Sequence, residues 1–253
     1  MVDVFMNYKK MISRGGLALL CAASIFISGP NQRMIEEQHS IRPETIKDVE
    51  PFPEMKSLDR LVYDTSNGFR EVIIPESDKE TCKKYDSMIN KSSLQEVIDS
   101  VKTPLDARFM VMSYHKRNTG TVEKKCFSPE DIHKNRVEFV CLHAAYMTAR
   151  ALDDNGFPPL ILSVAVSLDK PNNKDNPFHA VFLYRYKGNF GMIDNHSVMA
   201  PVFDSIKHVV EYLSCNMGRE YTLYRIRDIS LESADWKEHM PSPDKAPYYE
   251  DVK

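Results

Sequence analysis

Glycine is scarce in this chain: nine residues in 253, against fifteen prolines. That ratio argues for rigid loops rather than flexible linkers. An excess of charge of either sign is missing too. Lysine and arginine number 33 and aspartate and glutamate 36, for a net charge of -3. No electrostatic case therefore exists for nucleic acid as a partner. The five cysteines form no CxxC pair and no zinc-ligand spacing, so a zinc site of the usual kind is not expected. The most extended apolar run, GGLALLCAASIFIS at residues 15–28, is too short for a secure transmembrane span.

That run follows Lys9, Lys10 and Arg14. A basic region before a short apolar stretch is the physical profile of a secretory signal. Residues 1–30 are read as a signal peptide or an N-terminal membrane anchor, with a buried helix as the plain alternative. The expected localisation is exported: periplasmic, extracellular or membrane-anchored, with membrane association through this segment. Of the cysteines beyond Cys21, Cys82 and Cys126 could pair in an exported chain, although sequence alone does not pair them. A Cys141 left with a free thiol would then need a reason, and catalysis is one.

What is present is an ordinary globular composition, 42% hydrophobic and 27% charged, in a length that suits one large domain with extensions. Residues 31–90 read as an extended polar region, with short apolar pieces at 61–63 and 72–74 as edge strands and a helical pattern starting near Cys82. A catalytic domain is expected over 91–231 and a polar tail over 232–253. Within the domain, LQEVIDSV reads as a short helix after Ser92 and Ser93. Thr103, Pro104 and Asp106 read as the cap, first and third positions of the next helix. SPED at 128–131 repeats that logic. The main helix is placed at 139–154, stopped by Asn155-Gly156. Strands follow at 160–168, 178–187 and 190–194, the last two folded at Gly188-Asn189. A helix at 202–216 and a strand at 221–229 complete an α+β order, helices first and an antiparallel sheet second.

The chemistry rests on three residues. A thiol nucleophile works as its thiolate, which a helix N-terminus favours. A histidine must share the proton, and an acid must orient the histidine. Cys141 stands near a helix start, His179 near a strand start, and Asp194 at the end of the paired strand. Each also has a plain reading: Cys141 as a core residue, His179 as a satisfied strand histidine, and Asp194-Asn195 as a turn signal. His196 is the rival base, and His143 reads as a structural or pocket-wall residue. The backbone N–H of Cys141 is one oxyanion donor, with Tyr114 and Asn135 as candidates for the second.

Residues 137–195 resemble the core of the transglutaminase-like cysteine enzyme superfamily. The likeness lies in Cys141-Leu-His-Ala-Ala running to Asn155-Gly156, in His179-Ala-Val-Phe-Leu-Tyr 38 residues beyond the cysteine, and in Gly188-Asn-Phe-Gly-Met-Ile-Asp194-Asn195. The Asp194-Asn195 pair is similar to that of the bacterial transglutaminase-like cysteine proteinases. The resemblance implies a papain-like or transglutaminase-like fold and a Cys141-His179-Asp194 triad. It further implies a thiol protease or amidase acting on a protein or peptide substrate through a thioester. A protein-crosslinking acyltransferase and a catalytically silent binding domain are the alternatives. It also implies a calcium site built from acids flanking the cysteine. Here Val140 and Leu142 stand at those places and Glu138 is the nearest carboxylate, so no cofactor is expected.

Overall fold

A computed structural model describes residues 41–50, 78–117, 128–135, 141–166, 178–195, 197–240 and 249–252. Every described residue belongs to one compact unit, His39–Lys253. The apolar run at 15–28, the pieces at 61–63 and 72–74, Cys126 and His196 lie outside the described residues.

The fold is α+β. Helices α1 (Asp78–Lys91), α2 (Leu94–Asp99), α3 (Pro104–Arg117), α4 (Pro129–Asn135) and α5 (Cys141–Asp153) precede strands β1 (Leu160–Ala165), β2 (Phe178–Tyr186), β3 (Asn189–Ile193) and β4 (Val198–Phe203). Helix α6 (Ile206–Met217), β5 (Leu223–Asp228) and the two-residue β6 (Glu250–Asp251) follow. The strands form one antiparallel sheet in the order β4-β3-β2-β1-β5-β6.

Local chemistry sets the helix starts. Ser93 caps α2 in a reciprocal capping box with Glu96. Thr103 and Asp106 exchange the same pair of bonds ahead of α3, at 3.2 and 3.1 Å. Ser128 accepts from the Asp131 N–H at 3.0 Å ahead of α4. Each cap satisfies N–H groups that the first helical turn leaves without partners.

Both faces of the sheet are buried, which explains why β1 and β2 read as nearly unbroken apolar runs. Strand alternation sends Ala180, Phe182 and Tyr184 into one core with Phe109, Met110, Ala144, Met147 and Leu152 from the helices. It sends Val181 and Leu183 into the other, with Val209, Val210 and Leu213 of α6.

Several boundaries differ from the sequence reading. Helix α1 starts at Asp78, four residues ahead of the helical pattern expected near Cys82, and Tyr85 and Ile89 on it are buried. Residues 41–50 are packed as well. Ile46 and Val49 are buried, the Ile41 N–H donates to Ile226 O at 3.0 Å, and the Val49 N–H donates to Arg185 O at 2.8 Å. The polar tail docks through Trp236, whose carbonyl accepts from the Tyr146 hydroxyl at 2.8 Å, and through β6 paired to β5. The compact fold therefore extends on both sides of 91–231. The hairpin turns at Lys187-Gly188, one residue earlier than expected, with both φ positive at 51° and 81°. Two positive φ angles match the twist of the flanking strands. Residues 202–203 end a strand instead of starting α6, which begins only at Ile206 behind its Ser205 cap.

Candidate active site

Cys141 is the first residue of α5, two residues into the span expected from the sequence. The position puts its sulfur beside backbone N–H groups with no intrahelical acceptor and at the positive end of the helix dipole. His179 is the second residue of β2. Asp194 follows directly on β3. Phe182 pairs with Ile193, so Asp194 falls opposite Val181, on the same face as His179 and diagonal to it.

The structure brings the three together. His179 Nε2 lies 3.0 Å from Asp194 Oδ2, and the two residues are only 4% and 3% exposed. A buried carboxylate without such a partner would be costly. The second carboxylate oxygen, Oδ1, accepts from the backbone N–H of Ser197 and, at 3.0 Å, from its hydroxyl. The Asp194 N–H donates back to Ser197 O at 3.0 Å. Arg108 on α3 donates to Asn195 O at 3.3 Å. The loop that carries the acid is therefore tied both to itself and to the helical layer.

With Nε2 committed to Asp194, Nδ1 is the ring nitrogen left for the thiol. Burial opposes ionisation of Cys141, yet its hydrogen bond to His179, the imidazolium charge and the backbone N–H groups of Ala180 and Leu142 outweigh burial and lower its pKa. Burial also disfavours charge on His179. The bonds to Asp194 and Cys141 outweigh it and raise the imidazole pKa to about 9. Opposite shifts in two touching groups favour the thiolate–imidazolium form of the pair, the state in which a cysteine is nucleophilic.

The remaining sequence candidates fall elsewhere. The Tyr114 hydroxyl bonds His133 Nδ1 on α4 at 2.7 Å, and His133 Nε2 meets Ser92 O at 3.2 Å. Tyr114 is thus a tie between helices and not the oxyanion donor anticipated for it. Asn135 closes α4, and its side chain is outside the described residues. His143 is buried in α5. Glu138 and Val140, on which the calcium argument turned, are outside the described residues, and no metal-binding group of three or more His, Cys, Asp or Glu occurs among those described. No helix among the described residues is long and apolar enough to cross a membrane.

One residue beside the His179–Asp194 pair carried no sequence signal: Ser197, whose backbone N–H and hydroxyl hold Asp194 Oδ1. Comparison with known protein families finds no family model that matches the chain, and comparison with curated proteins finds no match.

Proposed function

We propose that this chain is a cysteine-dependent hydrolase of peptide or amide bonds in a protein substrate, built on a transglutaminase-like, papain-like arrangement. The observation that carries the reading is the thiol at the start of α5 held against a buried His179–Asp194 pair.

The chemistry follows from that geometry. The Cys141 thiolate attacks the carbonyl carbon of the scissile bond, a C–S bond forms, and the π electrons move onto oxygen. The backbone N–H of Cys141 is available to that oxygen as a first-turn amide. Collapse of the intermediate breaks the C–N bond, and the leaving amine takes the Nδ1 proton of His179. The thioester that remains is attacked by water, which gives its proton to the now neutral His179. Expulsion of the thiolate releases a carboxylic acid and restores the starting pair. Asp194 keeps Nε2–H pointed at itself throughout, which fixes the imidazole tautomer. A lysine amine in place of water would turn the same thioester into a protein crosslink. The basic-then-apolar profile of residues 1–30 supports export, so the natural substrate is expected among proteins met outside the cytoplasm.

The test is iodoacetamide labelling of Cys141 across pH, read by mass spectrometry, in wild type and His179→Ala. Labelling that persists below about pH 7 in wild type and weakens in the variant is expected of an activated thiolate. Labelling that rises only near pH ~8–9 in both proteins would overturn the reading in favour of a silent binding domain. Incubation with a mixed peptide pool then separates the two chemistries, since hydrolysis yields shortened peptides and acyl transfer yields joined ones.

A further inference from the structure

The carboxylate of Asp194 has two oxygens, and one of them, Oδ2, faces the imidazole at 3.0 Å from His179 Nε2. The torsion that turns a carboxylate is broad and two-fold. The side chain's own geometry therefore does not fix which oxygen meets His179, or at what tilt. A partner for Oδ1 can fix both, and the β3–β4 register supplies one. Ile193 pairs with Val198, so Asp194 and Ser197 stand opposite each other at the end of that hairpin, and the Asp194 N–H donates to Ser197 O at 3.0 Å. Residues directly opposite share a face, with Cβ atoms about 5 Å apart. A serine hydroxyl is short enough to work across that gap, and it donates to Asp194 Oδ1 at 3.0 Å.

The plain reading of Ser197 is a residue that closes a turn. Its backbone accounts for that part. The N–H donates to Asp194 Oδ1 and the carbonyl accepts from the Asp194 N–H, and any residue but proline offers the same two groups. Arg108 holds the loop from another side, through the Asn195 carbonyl at 3.3 Å. The hydroxyl is added on the carboxylate itself. Asp194 is 3% exposed, so little water is at hand to replace a lost donor, and a buried carboxylate depends on such bonds. Ser197 engages one oxygen of the acid and His179 the other. An effect of the hydroxyl on the chemistry therefore passes through Asp194.

We infer that Ser197 is a positioning residue, its hydroxyl holding Asp194 Oδ1 so that Oδ2 stays aligned with His179 Nε2. The inference rests on the cysteine-hydrolase reading of the same site. Without the hydroxyl the carboxylate turns on its torsion, the imidazole holds its proton less firmly, and the Cys141 thiolate forms only at higher pH. The measurement is the rate of iodoacetamide labelling at Cys141, read by mass spectrometry from pH ~5 to ~9.5. The full chain is compared with Ser197→Ala and Ser197→Thr, with thermal melting to verify that the variants fold. Ser197→Ala keeps the backbone bonds and should move the acid limb of the profile upward. Labelling at pH ~6 should slow about three- to ten-fold, or half to one pKa unit, and the rates should converge near pH ~9.5. Ser197→Thr retains a hydroxyl and should return to within about two-fold of wild type. In an Asp194→Asn background, Ser197→Ala should add less than about two-fold, because changes along one line of contacts do not add. An acid limb that stays in place or moves downward in Ser197→Ala overturns the role. Equal shifts in the alanine and threonine variants overturn it as well, since loop packing would then be the cause. A full further loss in the Asp194→Asn background does the same, because the hydroxyl would be acting by another route. A wild-type thiol that labels as an ordinary cysteine brings down the hydrolase reading itself, and this role with it. An activated wild-type thiol beside an unshifted Ser197→Ala brings down the role alone.

Discussion

Asp194 acts on His179 through one carboxylate oxygen and is held by Ser197 through the other. Asp194→Asn keeps the shape and removes the charge that helps to hold the imidazole proton. The His179 pKa should fall from about 9, and the thiol pKa should climb back toward its ordinary range. Alkylation of Cys141 at pH ~6 is expected to slow at least ~10-fold, one pKa unit being a factor of ten in thiolate fraction. An unchanged pH–rate profile would mean that Asp194 only positions the ring. At this scale the grouping of Cys141, His179 and Asp194 was legible in the sequence, because each carries a local signature: a thiol at a helix start, and a histidine and an acid across a hairpin. Ser197 was not legible, because its bonds to Asp194 form only once the loop after β3 closes on itself. Tyr114 misled because its partner His133 sits on a different helix.

At the scale of elements, β3 carries Asp194, and its seating on β2 depends on a glycine. Gly191 lies opposite Tyr184. A Cβ at position 191 would come within 2.3 Å of the Tyr184 ring. That ring is fully buried and its hydroxyl is bonded to Met199 O at 2.9 Å, so it has little room to move aside. Gly191→Ala should cost about 2 kcal/mol of stability through overpacking and slow Cys141 alkylation by loosening β3. Urea unfolding with an unchanged midpoint would refute this. Elements with strong local chemistry were readable, as the Thr103-Pro104-Asp106 start of α3 illustrates. Strand β4 was hidden by Pro201, which argues against a central strand; the sheet order puts β4 at an edge, where proline is tolerated. The docked segment at 41–50 and the Trp236 contact arise from long-range packing, which periodicity does not register.

For the whole molecule, the paired shifts have a joint effect on stability. A raised His179 pKa contributes stability that is full below its ordinary 6.5 and lost as pH rises through about 9. A lowered Cys141 pKa contributes stability that is present above the ordinary 9.0 and lost as pH falls through the lowered value. Between the higher of 6.5 and the lowered thiol pKa, and about 9, the two slopes oppose each other and cancel. The thermal stability of the wild type should accordingly stay level through that window, as read from melts across pH. A steady decline toward pH 9 would mean that the thiol keeps its proton while His179 is charged, which would contradict the shared assignment.

The cancellation has a further consequence. The proton that leaves sulfur is kept by the neighbouring ring, so arming the nucleophile neither takes a proton from the surroundings nor gives one up. Electrophoretic mobility would not register the event. Within that window, a protein released into surroundings of changing acidity would carry a ready nucleophile, insulated from the medium around it.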